Sequence, residues 1–168
     1  MTWANPVNED GSDKFQLVWR EKDFKDILDP NGINIIDWLN IYDKFYAIGE
    51  LLDGIKGRLD KGIVLVAIQK DPNKGLGVGG MWAEHKASFY LTADFGRITV
   101  EKAKKWQEWN PNRKTWGFEI VDKGTHFSNI RLVKKCLKCY GTGKSKGMQC
   151  EGCFGTGWID DVKEEIPY

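Results

Sequence analysis

Apolar positions along the chain fall into compact groups separated by turn-forming residues. Residues 1–30 are polar and turn-rich, punctuated by Asn5-Pro6, Asp10-Gly11 and Asp29-Pro30. Ile33-Asn34-Ile35-Ile36 follows, a short and largely apolar strand that ends at Asp37. From about Tyr42 to Asp60, Phe45, Ile48, Leu52, Ile55 and Leu59 recur at intervals of three and four. That spacing lays one stripe along a helix, weakened by Gly49, Gly54 and Gly57. Ile63-Val64-Leu65-Val66-Ala67-Ile68 is an unbroken apolar run, rich in β-branched residues, that stops at Gln69. Such a run predicts a strand buried on both faces, as in a parallel sheet. Strand, helix and strand in this order make a βαβ unit with a right-handed crossover.

A glycine-rich loop comes next, residues 71–80, and then a different pattern. Ser88–Leu91, Ile98–Val100 and Gly117–Val121 are shorter, alternate in character or favour aromatics, and predict an antiparallel extension of the sheet. The pattern stops near residue 130, and residues 131–158 are rich in Cys, Gly and Lys. Residues 159–168 hold Asp160, Asp161, Glu164 and Glu165 against Lys163 and read as a solvated acidic tail. The expected fold class is α/β, a parallel βαβ core with an antiparallel extension and a small C-terminal module.

The chain has 168 residues, enough for one domain with a sizeable core and a small appendage. Its 25 Lys and Arg against 24 Asp and Glu give a formal charge of +1, which excludes a globally basic nucleic-acid coat and an acidic tail protein. Apolar residues at 41% and charged residues at 29% argue against wholesale disorder. No window holds the ~18 apolar residues of a membrane span, and no secretory segment follows Met1. The chain reads as soluble and cytoplasmic, with no membrane partner.

All four cysteines lie between Cys136 and Cys153. Cys136-Leu137-Lys138-Cys139-Tyr140-Gly141-Thr142-Gly143 and Cys150-Glu151-Gly152-Cys153-Phe154-Gly155-Thr156-Gly157 are one unit, CxxCxGxG, written twice. A CxxC turn points two thiolates at one centre, and two such turns complete the four-thiolate shell of a structural zinc ion. Without a secretion signal, Cys136, Cys139, Cys150 and Cys153 are therefore expected to hold one structural Zn2+, the alternatives being two disulfides or four free thiols. The unit resembles the cysteine-rich repeats of DnaJ-type co-chaperones. With two repeats and no His-Pro-Asp motif, that resemblance supports the zinc knuckle and not a chaperone role.

Arg131, Lys134, Lys135, Lys138, Lys144 and Lys146 surround the unit with no acid before Glu151. Such a basic knob fits phosphate contacts on nucleic acid, or else solubility and packing. Gly141-Thr142-Gly143-Lys144-Ser145 mimics the end of a phosphate-binding loop, but Lys138 stands where its first glycine belongs.

Asp37 and Gln69 each end an apolar strand, and the carboxyl edge of an open α/β sheet is where ligands bind. The stretch from Asn31 to Lys70, with NGINIIDWLNI, GELLDGIKGRL and KGIVLVAIQK, closely resembles the C-terminal half of RecA/DnaB-like P-loop ATPases of phage replication modules. The resemblance extends over roughly residues 31–130 and implies a partial RecA-like sheet. It implies that Asp37 is the Walker B acid, holding Mg2+, and that Gln69 senses the γ-phosphate of ATP. It makes loop 71–80 the lining of a DNA channel, with Lys74, Gly75, Gly77 and Gly79 near the single strand. Lys102 and Lys104 resemble the cation pair that reaches a neighbouring subunit's nucleotide in a homo-oligomeric ring. The second of that pair is Lys104 and not Arg, a point charge without a planar fork. No GxxxxGK[ST] occurs in the chain, and no candidate exists for the catalytic Glu ahead of Asp37. The resemblance therefore implies the C-terminal portion of a helicase-type motor, inactive alone, with ATP and Mg2+ bound only once a P-loop portion joins it.

His85 and His126 have no nucleophile partner in sequence and read as packing or surface residues. Trp82 follows the glycine loop, and Trp106, Trp109 and Trp116 interleave with Lys104, Lys105, Arg113 and Lys114, which fits either base stacking or packing. The alternative to the motor is a non-enzymatic, zinc-dependent nucleic-acid-binding or adaptor module.

Overall fold

The computed structural model describes residues 7–39, 41, 45–71 and 73–161. The expected helix start at Tyr42, Pro72 of the glycine loop and residues 162–168 of the expected tail lie outside the described residues.

β1 (Ile33–Leu39) runs two residues past its expected end, so Asp37 lies inside it and does not close it. It pairs in parallel with β2 (Ile63–Ile68) from Ile33↔Ile63 to Ile36↔Val66, then slips register before Leu39↔Ile68. Between them runs α1 (Ile48–Arg58), entered through a 3-10 turn at Phe45–Ala47. The Asp29-Pro30 turn is clamped to this pair by Asn34. Its side-chain oxygen accepts from Asp29 N–H at 2.9 Å, and its amide donates to the Asp29 and Ile63 carbonyls at 2.9 and 3.2 Å.

The β2 run is not buried on both faces. Its burial alternates, with Val64, Val66 and Ile68 half-buried beneath α1 and Ile63, Leu65 and Ala67 exposed. Their register partners Ile33 and Ile35 are exposed as well. One face of the parallel pair is packed and the other is bare.

After the glycine loop comes α2 (Met81–Lys86), a short helix that the sequence pattern did not mark. Then β3 (Phe89–Asp94), β4 (Arg97–Ala103), β5 (Thr115–Val121) and β6 (His126–Lys135) form successive antiparallel neighbours. They make a separate sheet rather than an extension of the parallel one. β6 passes straight through the expected boundary at residue 130. The cysteine module follows, containing the small hairpin of β7 (Lys144–Ser145) and β8 (Met148–Gln149). The chain then returns as β9 (Trp158–Asp160), which pairs antiparallel with β6 and is the fifth strand of that sheet. Asp160 and Asp161, expected in a solvated tail, instead accept from Arg131 and Lys134 at 2.8 and 2.7 Å. The module is thus an insertion between two paired strands.

The main core holds Leu28, Ile36, Leu39, Ile48, Ile55, Ala83 and Tyr90, gathered from β1 and the segment ahead of it, both helices and β3, with Val64, Val66 and Ile68 of β2 packed against it. The expected helical stripe accounts for Ile48, Leu52 and Ile55, while Phe45 is exposed.

Candidate functional site

The four cysteine side chains are buried and their sulfurs lie within 4.8 Å of one another. The Cys136–Cys150 and Cys139–Cys153 sulfurs are 3.9 and 3.6 Å apart. A disulfide needs about 2.05 Å, so neither pair is bonded, and the cysteines are free. A tetrahedron of metal–sulfur bonds near 2.3 Å has edges of about 3.8 Å, so the cluster fits a metal ion such as zinc.

The two units are wrapped around this centre as near-copies. Cys136 N–H donates to the Gly157 carbonyl at 2.8 Å, and Cys150 N–H donates to the Gly143 carbonyl at 2.9 Å. Thr142 and Thr156 each donate a hydroxyl hydrogen bond to the carbonyl of the preceding cysteine, Cys139 and Cys153, both at 2.7 Å. These threonines are working parts that the CxxCxGxG pattern does not specify. Their signal was the repetition of Thr between the glycines of both units.

The glycines are fixed by contact between the units. A Cβ on Gly143 would stand 2.2 Å from the Gly155 carbonyl oxygen, and one on Gly157 would stand 2.3 Å from that of Gly141. Both positions also have φ near +80, at +74 and +80. Gly157→Ala is therefore expected to cost the ~1–2 kcal/mol of a left-handed alanine plus a clash with rigid backbone. Metal bound per chain should fall in that variant. Gly147→Ala is the control, because its φ is also +80 and a Cβ there meets nothing within 4 Å. Equal metal content in the two would remove the packing argument.

Backbone N–H groups also face the sulfurs, as from Gly157 to Cys153 at 3.2 Å. Burial works to raise the Cys139 thiol, but the N–H groups of Gly143 and Gly141 and the adjacent sulfurs bring it down to about 7. At Cys150 burial and the neighbouring sulfurs prevail over the Gly152 N–H and push the thiol up to about 11. Thiolate is the form a metal takes, and N–H donors stabilise it.

Asp37 lies two residues inside the carboxyl end of β1 and Gln69 just past that of β2, and both are exposed. Gln69 continues the bare row of Ile63, Leu65 and Ala67, whereas the alternation of β1 breaks at Asp37 and Trp38, both exposed, where its register with β2 slips.

The glycine loop divides into two. Lys74 and Gly75 are exposed, Lys74 lying 4.0 Å from Asp71. Gly77 is buried and donates its N–H to the Tyr90 hydroxyl at 3.0 Å, and Val78 N–H donates to the Gln69 carbonyl at 2.9 Å. A Cβ on Gly79 would stand 2.4 Å from Ile48 Cγ2. Gly77 and Gly79 therefore seat the loop on the core, and of the four expected strand contacts only Lys74 and Gly75 face outward.

Lys102 is likewise engaged. Its ammonium donates to the Glu84 and His85 carbonyls at 2.7 and 3.1 Å, closing the end of α2. Partial burial and the neighbouring Lys104 lower its pKa. Lys104, just beyond β4, is exposed. Trp109 and Trp116 pack edge to face at 5.8 Å, with Lys114 over the Trp109 ring at 5.7 Å, so these rings favour packing. Trp106 and Trp82 remain exposed.

No protein family, curated protein or solved structure matches the chain. No described helix is long and apolar enough to cross a membrane.

Proposed function

We propose that the chain is the C-terminal portion of a RecA-like ATPase of a phage-type replication or recombination motor, carrying a structural zinc ion on Cys136, Cys139, Cys150 and Cys153. The observation that carries the ATPase reading is the bare face of the β1–β2 pair. Ile33, Ile35, Ile63 and Leu65 are each more than half exposed on it. A parallel sheet is stable when both faces are covered, and two strands alone are too few to stand by themselves. The pair thus has the form of part of a larger sheet whose remaining strands and covering helix come from another segment. Asp37 and Gln69 lie near the carboxyl end of that pair, the edge at which a P-loop segment would present a nucleotide in this reading. In this reading Asp37 holds Mg2+, Gln69 senses the γ-phosphate, and Lys74 with Gly75 meets DNA. Lys104 is the cation available to a neighbour's nucleotide, Lys102 being held by α2.

The chain alone is expected not to hydrolyse ATP, since no phosphate cradle is present in its sequence. Co-expressed with a segment carrying GxxxxGK[ST], if one is encoded upstream, it is expected to hydrolyse ATP, and Asp37→Ala should return activity to background. Hydrolysis by the isolated chain, abolished by Asp37→Ala, would overturn the split-site reading. An unrelated upstream gene with no such segment would remove the motor.

A further inference from the structure

We propose that the cysteine module is a contact for single-stranded nucleic acid, in which Tyr140 and Phe154 stack bases and Lys138, Lys144 and Lys146 meet phosphates. The assignment rests on metal-centred folding of the module and is independent of the ATPase reading.

Tyr140 and Phe154 occupy the same place in the two units, directly after Cys139 and Cys153. Their φ angles are +52 and +50, a region that bulky side chains rarely adopt. Their side chains gain nothing from it inside the fold, being 82% and 80% exposed. The turn of each unit sets that backbone, but it does not call for a large ring, and two rings in solvent at equivalent positions are accounted for by a ligand outside the module and not by its packing. The backbone beneath them is fixed, with Thr142 N–H and Thr156 N–H donating to the Cys139 and Cys153 carbonyls at 3.0 Å. Rings held on such a frame lose little freedom when a partner binds.

Charge selects the partner. Arg131 and Lys134 are neutralised by Asp160 and Asp161 on the β6–β9 side. Lys135, Lys138, Lys144 and Lys146 are exposed, form no ion pair among the described residues, and have only Glu151 as an acid in their stretch. Exposed rings among uncompensated lysines suit a polyanion that carries flat faces. Single strands offer those faces, whereas duplexes hide them in the stack. A protein partner would be better met by a continuous apolar groove.

The test uses the full chain with its metal content measured, and fluorescence anisotropy with labelled oligo-dT, oligo-U and a duplex. Binding to a single strand is expected, weakened by salt, with the tighter of oligo-dT and oligo-U identifying DNA or RNA as the source. Tyr140→Asn and Phe154→Asn suit the left-handed backbone. Each is expected to weaken binding roughly 5- to 150-fold while leaving the salt dependence unchanged. Lys138→Ala, Lys144→Ala and Lys146→Ala should each reduce the salt slope by about 0.7. Tyr140→Phe and Phe154→Tyr should bind as the parent does. If an Asn variant loses metal, Tyr140→Gly or Phe154→Gly replaces it. Metal-loaded chain that ignores single strands, binds duplex equally, or loses affinity only with Lys74→Ala overturns the proposal. A metal-free but folded chain overturns the metal reading beneath it.

Discussion

Cys150→Ser, or removal of metal by a chelator, is expected to unfold residues 136–157 and release β9 while the β1–α1–β2 unit stays folded. The module has almost nothing else to hold it. Its buried cluster is the four cysteines, with Ile159 the apolar residue packed against them. β7 and β8 are two residues each, far short of a self-sufficient hairpin. Structural zinc in such sites contributes on the order of 10–16 kcal/mol of apparent binding energy, all of which is folding energy when no site exists in the unfolded chain. The supports that remain on β9 are its three-residue ladder with β6, the Asp161 N–H bond to the Leu132 carbonyl, Arg97 over the Trp158 ring, and the Arg131–Asp160 and Lys134–Asp161 pairs. Partly exposed ion pairs contribute about 0–1 kcal/mol each, and a three-residue edge strand adds little against the ordering of a freed chain end. The parent chain should contain about one zinc per polypeptide. In the metal-free chain, amide exchange should become fast at Cys136 and Cys150, whose N–H groups bond across the two units. Retained protection at those amides would show that the module folds without metal.

The sequence shows some of this plainly, for physical reasons. A strand whose residues are all apolar marks itself, so β2 falls on the residues its pattern predicts. The doubled cysteine unit is legible because ligand chemistry leaves few other uses for that spacing. What an apolar run reports, however, is that both faces need cover, and not that this chain supplies it. Hence Ile63 and Leu65 were expected inside and lie outside. β6 is hidden because His126, Ser128, Asn129, Arg131 and Lys134 break its pattern, and its second partner β9 comes only after the module. Pairing across an insertion is set by tertiary contact and not by local preference. Lys102 is a similar case. Its position beside Lys104 reads as a cation pair, and only the placement of α2 turns its ammonium onto two carbonyls. The same limit applies to the loop, where Gly77 and Gly79 look like freedom to move and are in fact points of close packing.

That packing makes Ile48 the residue whose loss should most damage the other half of the chain. Ile48 is fully buried at 0% exposure, at the start of α1, within the cluster of Ile36, Leu39, Ile55 and Tyr90. The backbone of Gly79 lies hard against its Cγ2, so Ile48 supports both the helix–sheet packing and the end of the glycine loop. Ile48→Ala removes atoms from a site that rigid neighbours cannot refill, a change that costs about 2–5 kcal/mol. Against a typical total of ~5–15 kcal/mol, and with one sheet face already uncovered, that loss should leave the β1–α1–β2 unit largely unfolded on mild denaturation. Ile48→Val should cost about 0.5–1.5 kcal/mol and keep the fold. Metal content should stay at that of the parent in both variants, since no cysteine ligand packs in this cluster. The measurements are a denaturant midpoint and metal per chain on the same samples. An Ile48→Ala midpoint within about 0.5 kcal/mol of the parent would mean that the contacts around Ile48 are not what holds this half together.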